Sequence, residues 1–248
     1  MTRLPKSILQ EAIQGHLVPQ LAEDELASVL LDRIQEQKHK LLKEGKIKRK
    51  DVFNSVIFKG DDNKYYEKLD DRILDLDDEI PFDIPESWTW ERLGHLFDHN
   101  TGKALNHGSS KGVFHKYLTT SNVYWNHFDF SDVRSMPFTD EELGKCTVKK
   151  GDLLVCEGGD VGRAAIWPYD YNICIQNHIH RLRAYYPLCT LFYYYVLLLY
   201  KGIGKIGGKG IGIQGLSSGA LHNIIVPVPP IEEQERIVLK VTELLMLL

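Results

Sequence analysis

The sequence has no apolar run long enough to span a bilayer. The longest run, LFYYYVLLLY, covers only residues 191–200, whereas a membrane-spanning helix needs about 20 apolar residues. The first residues, MTRLPKSILQEAIQ, carry charge among the apolar positions and lack the apolar core of a signal peptide. The sequence therefore predicts neither a membrane span nor a secretory leader.

Cysteine is also scarce. The four cysteines, at positions 146, 156, 174 and 189, form no C-x-x-C pair. Neither a disulfide framework nor a zinc site of recognised spacing is indicated. The simplest interpretation is a reduced, cytoplasmic protein.

Two near-matches to nucleotide-binding motifs lack features that those motifs require. The stretch GIGKIG (202–207) matches G-x-G-x-x-G, but a helix-like apolar run precedes it, and residue 227 is proline where an acidic residue is required. A phosphate loop is excluded because Gly208-Lys209 is followed by Gly210 and not by Ser or Thr. We interpret this stretch as a flexible glycine loop that carries Lys201, Lys205 and Lys209.

No catalytic set of methyltransferase, helicase or nuclease type is recognisable. The sequence contains no Asn-Pro-Pro-aromatic tetrapeptide. Asp152 and Glu157 are close in sequence, but Gly158 and Gly159 follow where a catalytic lysine would be needed.

One cluster leaves an enzymatic alternative open. If CIQNHIH (174–180) were a single strand, Cys174, His178 and His180 would share a face. They could then hold zinc or form a thiol–imidazole pair. The competing interpretation is a packed cysteine with hydrogen-bonded histidines, since no further ligand is apparent.

The net charge is −4, but the charged residues are distributed unevenly along the chain. Residues 38–50 hold seven basic side chains and one acidic, whereas residues 61–91 hold twelve acidic and three basic. Residues 145–220 hold nine basic and four acidic, and residues 101–128 hold three lysines and no acids. In the net charge, the acidic segment offsets the basic segments. These basic segments predict a basic surface to which nucleic-acid phosphates could bind.

Periodicity predicts helices at both ends of the chain and a strand-rich centre. Helices are expected at 4–17, at 23–44 and from 231 to 248. LFYYYVLLLYK reads as a buried helix. Five β-prone stretches read as strands: KYLTTSNVYW (116–125), DLLVCEG (152–158), AAIW (164–167), IHRLRAYY (179–186) and NIIVPV (223–228).

Several stretches resemble the specificity subunit of type I restriction–modification enzymes. The resemblance covers nearly the whole chain and keeps the family's order. It is carried by KSILQEAIQGHLVPQ with KEGKIK, DEIPFDIPESWTWERLG (78–94), GDLLVCEGGDVGRAAIW (151–167), NHIHRLRAYY (177–186) and GLSSGALHNIIVPVPPIEEQERIV (215–238).

The resemblance implies an α+β fold, in which a mixed α/β target-recognition domain is flanked by conserved helices that pack as an antiparallel helical pair. We expect a conserved helical region at 1–50, an acidic linker at 51–84, the recognition domain at 85–228 and the start of a second conserved helix at 229–248. Family members carry two such domains, whereas this chain carries one, so we interpret it as a half-length subunit.

The resemblance also implies a non-catalytic DNA-recognition role in the cytoplasm. Modification (methyltransferase) subunits would dock on the helices and bring S-adenosylmethionine, and restriction subunits would bring ATP and magnesium chemistry. No cofactor or metal is expected in this chain. A helical scaffold without sequence-specific binding to double-stranded DNA is the alternative.

Two loops, 101–118 and 201–218, are rich in Lys, Gly and Ser and contain no acids. We predict that the lysines and Arg163 contact phosphates. The amide side chains and the serine are predicted to contact base edges. The candidate DNA-binding residues are Lys103, Asn106, Lys111, Lys116, Arg163, Lys205, Lys209, Gln214 and Ser217.

The last residues form an apolar a/d seam. We predict that this seam packs against the N-terminal helices, either within one chain or between two, and we favour a homodimer. The predicted helix-pairing residues are Leu4, Ile8, Ala12, Val238, Val241, Leu245 and Leu248.

Overall fold

A computed structural model of the chain describes residues 6–52, 55–105, 111–207 and 215–247. The chain divides into two compact units. The first comprises Met1–Leu96, Tyr185–Val196 and His222–Leu248, and the second comprises Phe97–Ala184 and Leu197–Leu221. This division differs from the predicted boundaries at 50, 84 and 228, because segments from both ends of the chain fold into the first unit.

Helices and strands alternate irregularly along the chain. The helices are α1 Lys6–Ile13, α2 Ala27–Lys43, α3 Leu93–Leu96, α4 Asp140–Cys146, α5 Thr190–Gly202, α6 Ser218–His222 and α7 Ile231–Met246. The strands of the first unit are β1 Ser55–Lys59, β2 Tyr65–Leu69, β3 Arg72–Asp75, β4 Thr89–Arg92 and β15 Ile225–Val228. Those of the second are β5 Phe97–Thr101, β6 Val113–Leu118, β7 Val123–Tyr124, β8 His127–Phe128, β9 Arg134–Phe138, β10 Thr147–Val148, β11 Leu153–Cys156, β12 Ala164–Ile166, β13 Ile173–Ile175 and β14 Ile179–Ala184.

The predicted N-terminal helix is shorter than expected. Helix α1 ends before Gly15, which has a positive φ of 78°. A Cβ at this position would lie 2.5 Å from Cγ of Pro85, so only glycine fits. The second helix, α2, buries one stripe of side chains and stops just before Gly45, where φ is 69°.

Helix α7 packs against α1 within the chain, as the intramolecular version of the prediction requires. Its buried stripe runs through Gln234, Ile237 and Val241, whereas the predicted Val238 and Leu245 are only half-buried. The stripe is rotated because Glu233 is also buried, accepting hydrogen bonds from Trp88 Nε1 at 2.8 Å and Gln20 Nε2 at 2.5 Å.

On α1, the predicted Ala12 is buried and Ile8 is half-buried. Leu9 and Ile13 supply the rest of the buried face. Leu4 and Leu248 lie outside the described residues.

The stretch predicted to be an acidic linker instead contains an antiparallel sheet in the order β1–β2–β3. Acidic residues concentrate at its turns, where Asn63 and Asp70 have positive φ values of 64° and 51°. Between the turns, Ile57 faces a core cluster with Leu76, Trp90 and Ile225. The charges that suggested a linker are therefore mostly turn and surface residues of a folded sheet, whereas Glu67 on β2 is buried.

The second unit contains two four-stranded sheets, in the orders β12–β11–β14–β5 and β10–β13–β6–β9. Only the β13–β6 pair is parallel among these. Both sheets contribute to one apolar core: Leu154 and Ala165 come from the first sheet, and Leu118 and Ile175 come from the second.

Most of the predicted central elements are confirmed, including the buried helix α5 and strands β11, β12, β14 and β15. KYLTTSNVYW (116–125) is broken, however, because Asn122 organises a turn. Its amide oxygen accepts the backbone N–H of Thr119 at 2.8 Å, and its amide nitrogen donates to the carbonyls of Asp129 and Asp132. Among the described residues, no helix is both long and apolar enough to cross a bilayer.

Candidate nucleic-acid interface

Four strand termini of the second unit lie at the same end of the sheet β12–β11–β14–β5. Strands β5 and β11 end there, at Thr101 and Cys156, and strands β14 and β12 begin there, at Ile179 and Ala164. We call the residues that follow or precede these ends, 101–103, 156–163 and 176–178, the loop end. Leu216 joins it, because its N–H donates to the carbonyl of Glu157 at 2.8 Å.

Two glycines allow close packing at the loop end. A Cβ on Gly102 would lie 2.1 Å from the carbonyl oxygen of Ile175, so the backbone after β5 can run beside β13 only with glycine here. Gly162 has a φ of 80°, and a Cβ there would lie 2.6 Å from Cγ2 of Ile206. The turn at 158–163 and the glycine loop after α5 are therefore adjacent.

Lys201 fastens that turn to the end of α5. Its Nζ donates to the carbonyl of Val161 at 2.8 Å and lies 2.9 Å from Oδ1 of Asp160. Asp160 therefore pairs with Lys201. Lys205, the next lysine on the loop, places Nζ 5.6 Å from the centroid of the Tyr200 ring.

Arg163 is held against the residues that follow β6. Its guanidinium donates to the carbonyl of Thr120 and lies over the half-exposed ring of Tyr124, with 4.6 Å between Cζ and the ring centroid. Arg163 is half-buried as a residue and its Nε is buried, so the side chain is held as an oriented cation at the loop end.

Two hydrogen-bonded histidines, His99 and His180, position Leu216. His180 Nε2 lies 2.6 Å from the carbonyl of Leu216, so Nε2 must carry the proton, and Nδ1 of the neutral ring accepts from His99 Nε2 at 2.9 Å. Burial lowers the pKa of His180, which favours this neutral form. The residue after Gly215 is thus fixed by a hydrogen bond to the sheet.

Two predicted DNA contacts are engaged within the protein. Lys103 Nζ donates to the carbonyl of Pro137 and to Oε2 of Glu142, both at 2.7 Å, and its side chain is only 10% exposed. The hydroxyl of Ser217 accepts the N–H of Ala220 at 3.2 Å and caps helix α6. We therefore remove the nearly buried Lys103 from the proposed contact set, whereas the exposed Ser217 stays a prediction.

The remaining predicted contacts divide into two groups. Lys111 and Lys116 are exposed before and on β6, while Arg163 and Lys205 lie at or beside the loop end. Asn106, Lys209 and Gln214 fall outside the described residues. The structure therefore does not place all of the candidates in a single cluster.

Cys174, His178 and His180 do not share a strand, contrary to the prediction behind the enzymatic alternative. Cys174 belongs to β13 and packs in a core cluster with Tyr117 and Met136, where burial raises its pKa to about 11. His180 belongs to β14 of the other sheet, and His178 pairs with Glu157 at 3.1 Å. In the described part of the chain, no group of three or more His, Cys, Asp or Glu side chains could hold a metal ion.

A mixed α/β chain with Arg163, Lys201 and Lys205 at or beside its loop end is the class defined by fold and geometry, and the comparisons specify it further. The family model for the type I restriction modification DNA specificity domain matches residues 85–245. The chain belongs to this family.

Two curated relatives from Escherichia coli are similar to the chain. It is 28% identical to the type I restriction enzyme EcoAI specificity subunit over 98% of this chain and 39% of that protein. It is also 28% identical to the EcoEI specificity subunit over 66% of this chain and 25% of that protein. The chain therefore spans less than half the length of these relatives.

Solved structures show the same fold at lower identity. The HsdS subunit from Thermoanaerobacter tengcongensis superposes with a TM-score of 0.51 at 22% identity, covering 67% of this chain and 39% of that one. A chain of a type I R-M system, described for its complex assembly and conformational transition, gives a TM-score of 0.52 at 18% identity over 89% of this chain and 50% of that one.

Two features of the candidate interface were not predicted from the sequence. Tyr124, 41% exposed, was assigned to a strand interior, and its role as the platform for Arg163 follows only from the turn at Asn122. His178, exposed beside Glu157, was considered only as a metal or catalytic residue. Asn126, which has a positive φ of 50° in the turn between β7 and β8, was the available signal for Tyr124.

Proposed function

We propose that this chain recognises one half of a bipartite DNA target as the specificity subunit of a type I restriction–modification system. Its family and the names of its curated relatives support this role. Because the chain spans less than half of those relatives, reading a complete target requires a second recognition domain.

The observation that carries the proposal is the convergence of strand ends with oriented cations. Arg163 is fixed over Tyr124, Lys201 fastens the adjacent turn, and Lys205 follows on the same loop. Phosphate contacts from such residues set the register on a duplex, whereas base edges are read by side chains of neighbouring loops. We therefore assign phosphate contacts to Lys111, Lys116, Arg163, Lys205 and Lys209, and base contacts to Asn106, Gln214 and Ser217.

Catalysis is assigned to partner subunits. The modification subunit would bring S-adenosylmethionine, and the restriction subunit would bring ATP hydrolysis with magnesium. The purified chain, incubated with S-adenosylmethionine or ATP and duplex DNA, is expected to give no turnover. Turnover that a point substitution in this chain abolishes would contradict this assignment.

Helices α1 and α7 are the proposed docking elements for modification subunits. Their mutual packing within one chain supports a preformed helical pair. Leu239, Met246 and Leu247 remain 61%, 81% and 82% exposed on α7 and the residue that follows it. These apolar residues support contact with a further helix, either from a modification subunit or from a second copy that supplies the other recognition domain.

Selection of binding sites from a random duplex pool, with the chain in complex with its modification subunit, tests the proposed function. A split consensus whose half-sites depend on the loop residues is expected. Tight binding of the modification subunit without enrichment of any sequence would instead favour the helical scaffold.

A further inference from the structure

Strand β3 is an exposed sheet edge. It is the terminal strand in the order β1–β2–β3, and every residue of it is exposed. In the described parts of the chain it pairs with no strand except β2. Such an edge offers unpaired backbone N–H and C=O groups to another extended chain.

The register of the sheet identifies which groups point outward. Leu76 N donates to the carbonyl of Tyr65, so these opposed residues form a hydrogen-bonded pair. Hydrogen-bonded and non-hydrogen-bonded pairs alternate in an antiparallel ladder. Leu74 therefore bonds to β2, whereas Ile73 and Asp75 direct their N–H and C=O groups to the open edge.

The two apolar side chains of β3 face opposite sides of the sheet. Ile73 is 62% exposed and shares the outer face with Val56 and Lys68, while Leu74 is 46% exposed and shares the inner face with Glu67. Edge strands usually carry charged side chains or proline that prevent pairing. Here the charged residues Arg72 and Asp75 stand at the two ends of β3, and between them Ile73 and Leu74 place one exposed apolar side chain on each face.

A cavity lies under the inner face beside this edge. It has a volume of about 440 Å³, and Leu74, Leu69, Ser55 and Glu67 of the sheet line it. Arg92, also in the lining, is held by Glu67 through hydrogen bonds of 2.9 and 3.0 Å from Nε. A strand added about 4.8 Å beyond β3 would direct alternate side chains toward this cavity.

The charge around the edge selects the partner. Six acidic residues and one basic residue lie between positions 70 and 79. This surface repels DNA phosphates, and it likewise disfavours pairing with a second copy of the same acidic edge. We propose that β3 is a docking edge for an extended segment of a partner protein, in which apolar residues alternate with Lys or Arg.

Such a segment would continue the sheet through the outward groups of Ile73 and Asp75. Its apolar residues would cover Leu74 at the mouth of the cavity, and its cations would lie among the acidic turns. The proposal does not depend on DNA recognition, because the edge and the cavity belong entirely to the first unit.

The test uses the full chain and a capped heptapeptide of alternating Lys and Val, titrated by calorimetry. A matched Glu–Val peptide is the charge control. Ile73→Pro removes an outward N–H without breaking the β2–β3 ladder and is expected to weaken binding at least tenfold. Val56→Thr, which changes the same outer face away from the edge, is expected to leave the affinity unchanged.

Leu74→Lys supplies a second variant, which tests the proposal alone if circular dichroism shows that Ile73→Pro is unfolded. The added charge at the cavity mouth is expected to weaken Lys–Val peptide binding at least tenfold. The proposal would be overturned if the folded variants kept their affinity or if the Glu–Val peptide bound equally well. It would also be overturned if duplex DNA displaced the peptide, or if the chain formed a dimer that Ile73→Pro dissociates.

Discussion

The guanidinium carbon of Arg163 lies 4.6 Å from the centroid of the Tyr124 ring. This stacking joins the turn before β12 to the hairpin after β6, and the bond to the Thr120 carbonyl fixes the direction of the guanidinium. An arginine held in this way has less side-chain entropy to lose when it binds a phosphate.

Arg163→Lys should therefore weaken DNA binding although it conserves the charge, because an ammonium group cannot both stack and hydrogen-bond in the same geometry. We expect a loss of about tenfold in affinity, corresponding to ~1.4 kcal/mol. Tyr124→Leu, which removes only the platform, should give a smaller loss. Wild-type affinity for Arg163→Ala in an electrophoretic shift assay would show that the residue has a structural role alone.

Lys205→Ala should weaken binding to all sequences alike. Loss of one phosphate contact should lower the slope of log K against log salt by about 1. Lys111→Ala should behave in the same manner, whereas Lys64→Ala, in the β1–β2 turn of the first unit, provides a control outside the interface. Titrations at several salt concentrations that give the same slope for Lys205→Ala and wild type would refute the assignment.

Lys103→Ala should affect stability and not the salt dependence of DNA binding. The substitution removes the hydrogen bonds to Pro137 and Glu142 from a side chain that is almost buried. We expect a loss of about 1–2 kcal/mol in the free energy of unfolding. Denaturant titration measures this loss, and a reduced salt slope with unchanged stability would return Lys103 to the DNA contacts.

The sequence predicted elements whose pattern is local. Helices α2 and α7 follow from apolar periodicity, α5 follows from an apolar run too long for a typical strand, and β11 and β14 follow from β-prone stretches. The sheet β1–β2–β3 did not follow, since acidic residues at its turns dominated the composition.

The site was less predictable than the fold for a related reason. A lysine in a glycine-rich stretch looks the same whether it faces solvent, as Lys111 does, or an internal carboxylate, as Lys103 does. Only the tertiary position of Glu142 distinguishes them. The stripe on α7 was likewise offset, because the burial of Glu233 depends on Trp88 and Gln20, which are distant in sequence.

Lys38 should make stability depend on pH. It is fully buried on α2, with Nζ 5.2 Å from the Tyr185 ring centroid, and burial lowers its pKa from 10.5 to about 8. The unfolded state thus holds this proton more tightly, so the group costs stability below pH 8, and the cost fades as pH rises from about 8 to 10.5.

Lys38→Met should therefore raise the free energy of unfolding at pH 7, by at most roughly 3 kcal/mol. Its advantage over wild type should shrink between pH 8 and 10.5. Lys40→Met, an exposed neighbour on the same helix, serves as the control. A difference between Lys38→Met and wild type that stays constant across this pH range would contradict the lowered pKa.

Substitutions in the apolar seam of α7 distinguish intramolecular packing against α1 from pairing in a homodimer. Val241 is fully buried and Leu245 is half-buried, whereas Leu239 is 61% exposed. Val241→Asp should destabilise the folded chain by about 3 kcal/mol or more, since it places a charge in the packed face against α1. If two copies pair through the same helix, Leu245→Asp should dissociate the dimer and lower its melting temperature.

Light scattering at tens of micromolar, combined with thermal melting, measures both effects. Leu239→Asp serves as the exposed control and should leave the α1–α7 packing intact, so a change in mass without a change in melting would locate the partner on the outer face of α7. A monomeric wild type, with melting unchanged by Leu245→Asp, would leave α1 as the partner of α7 and would exclude the homodimer as the source of the second recognition domain.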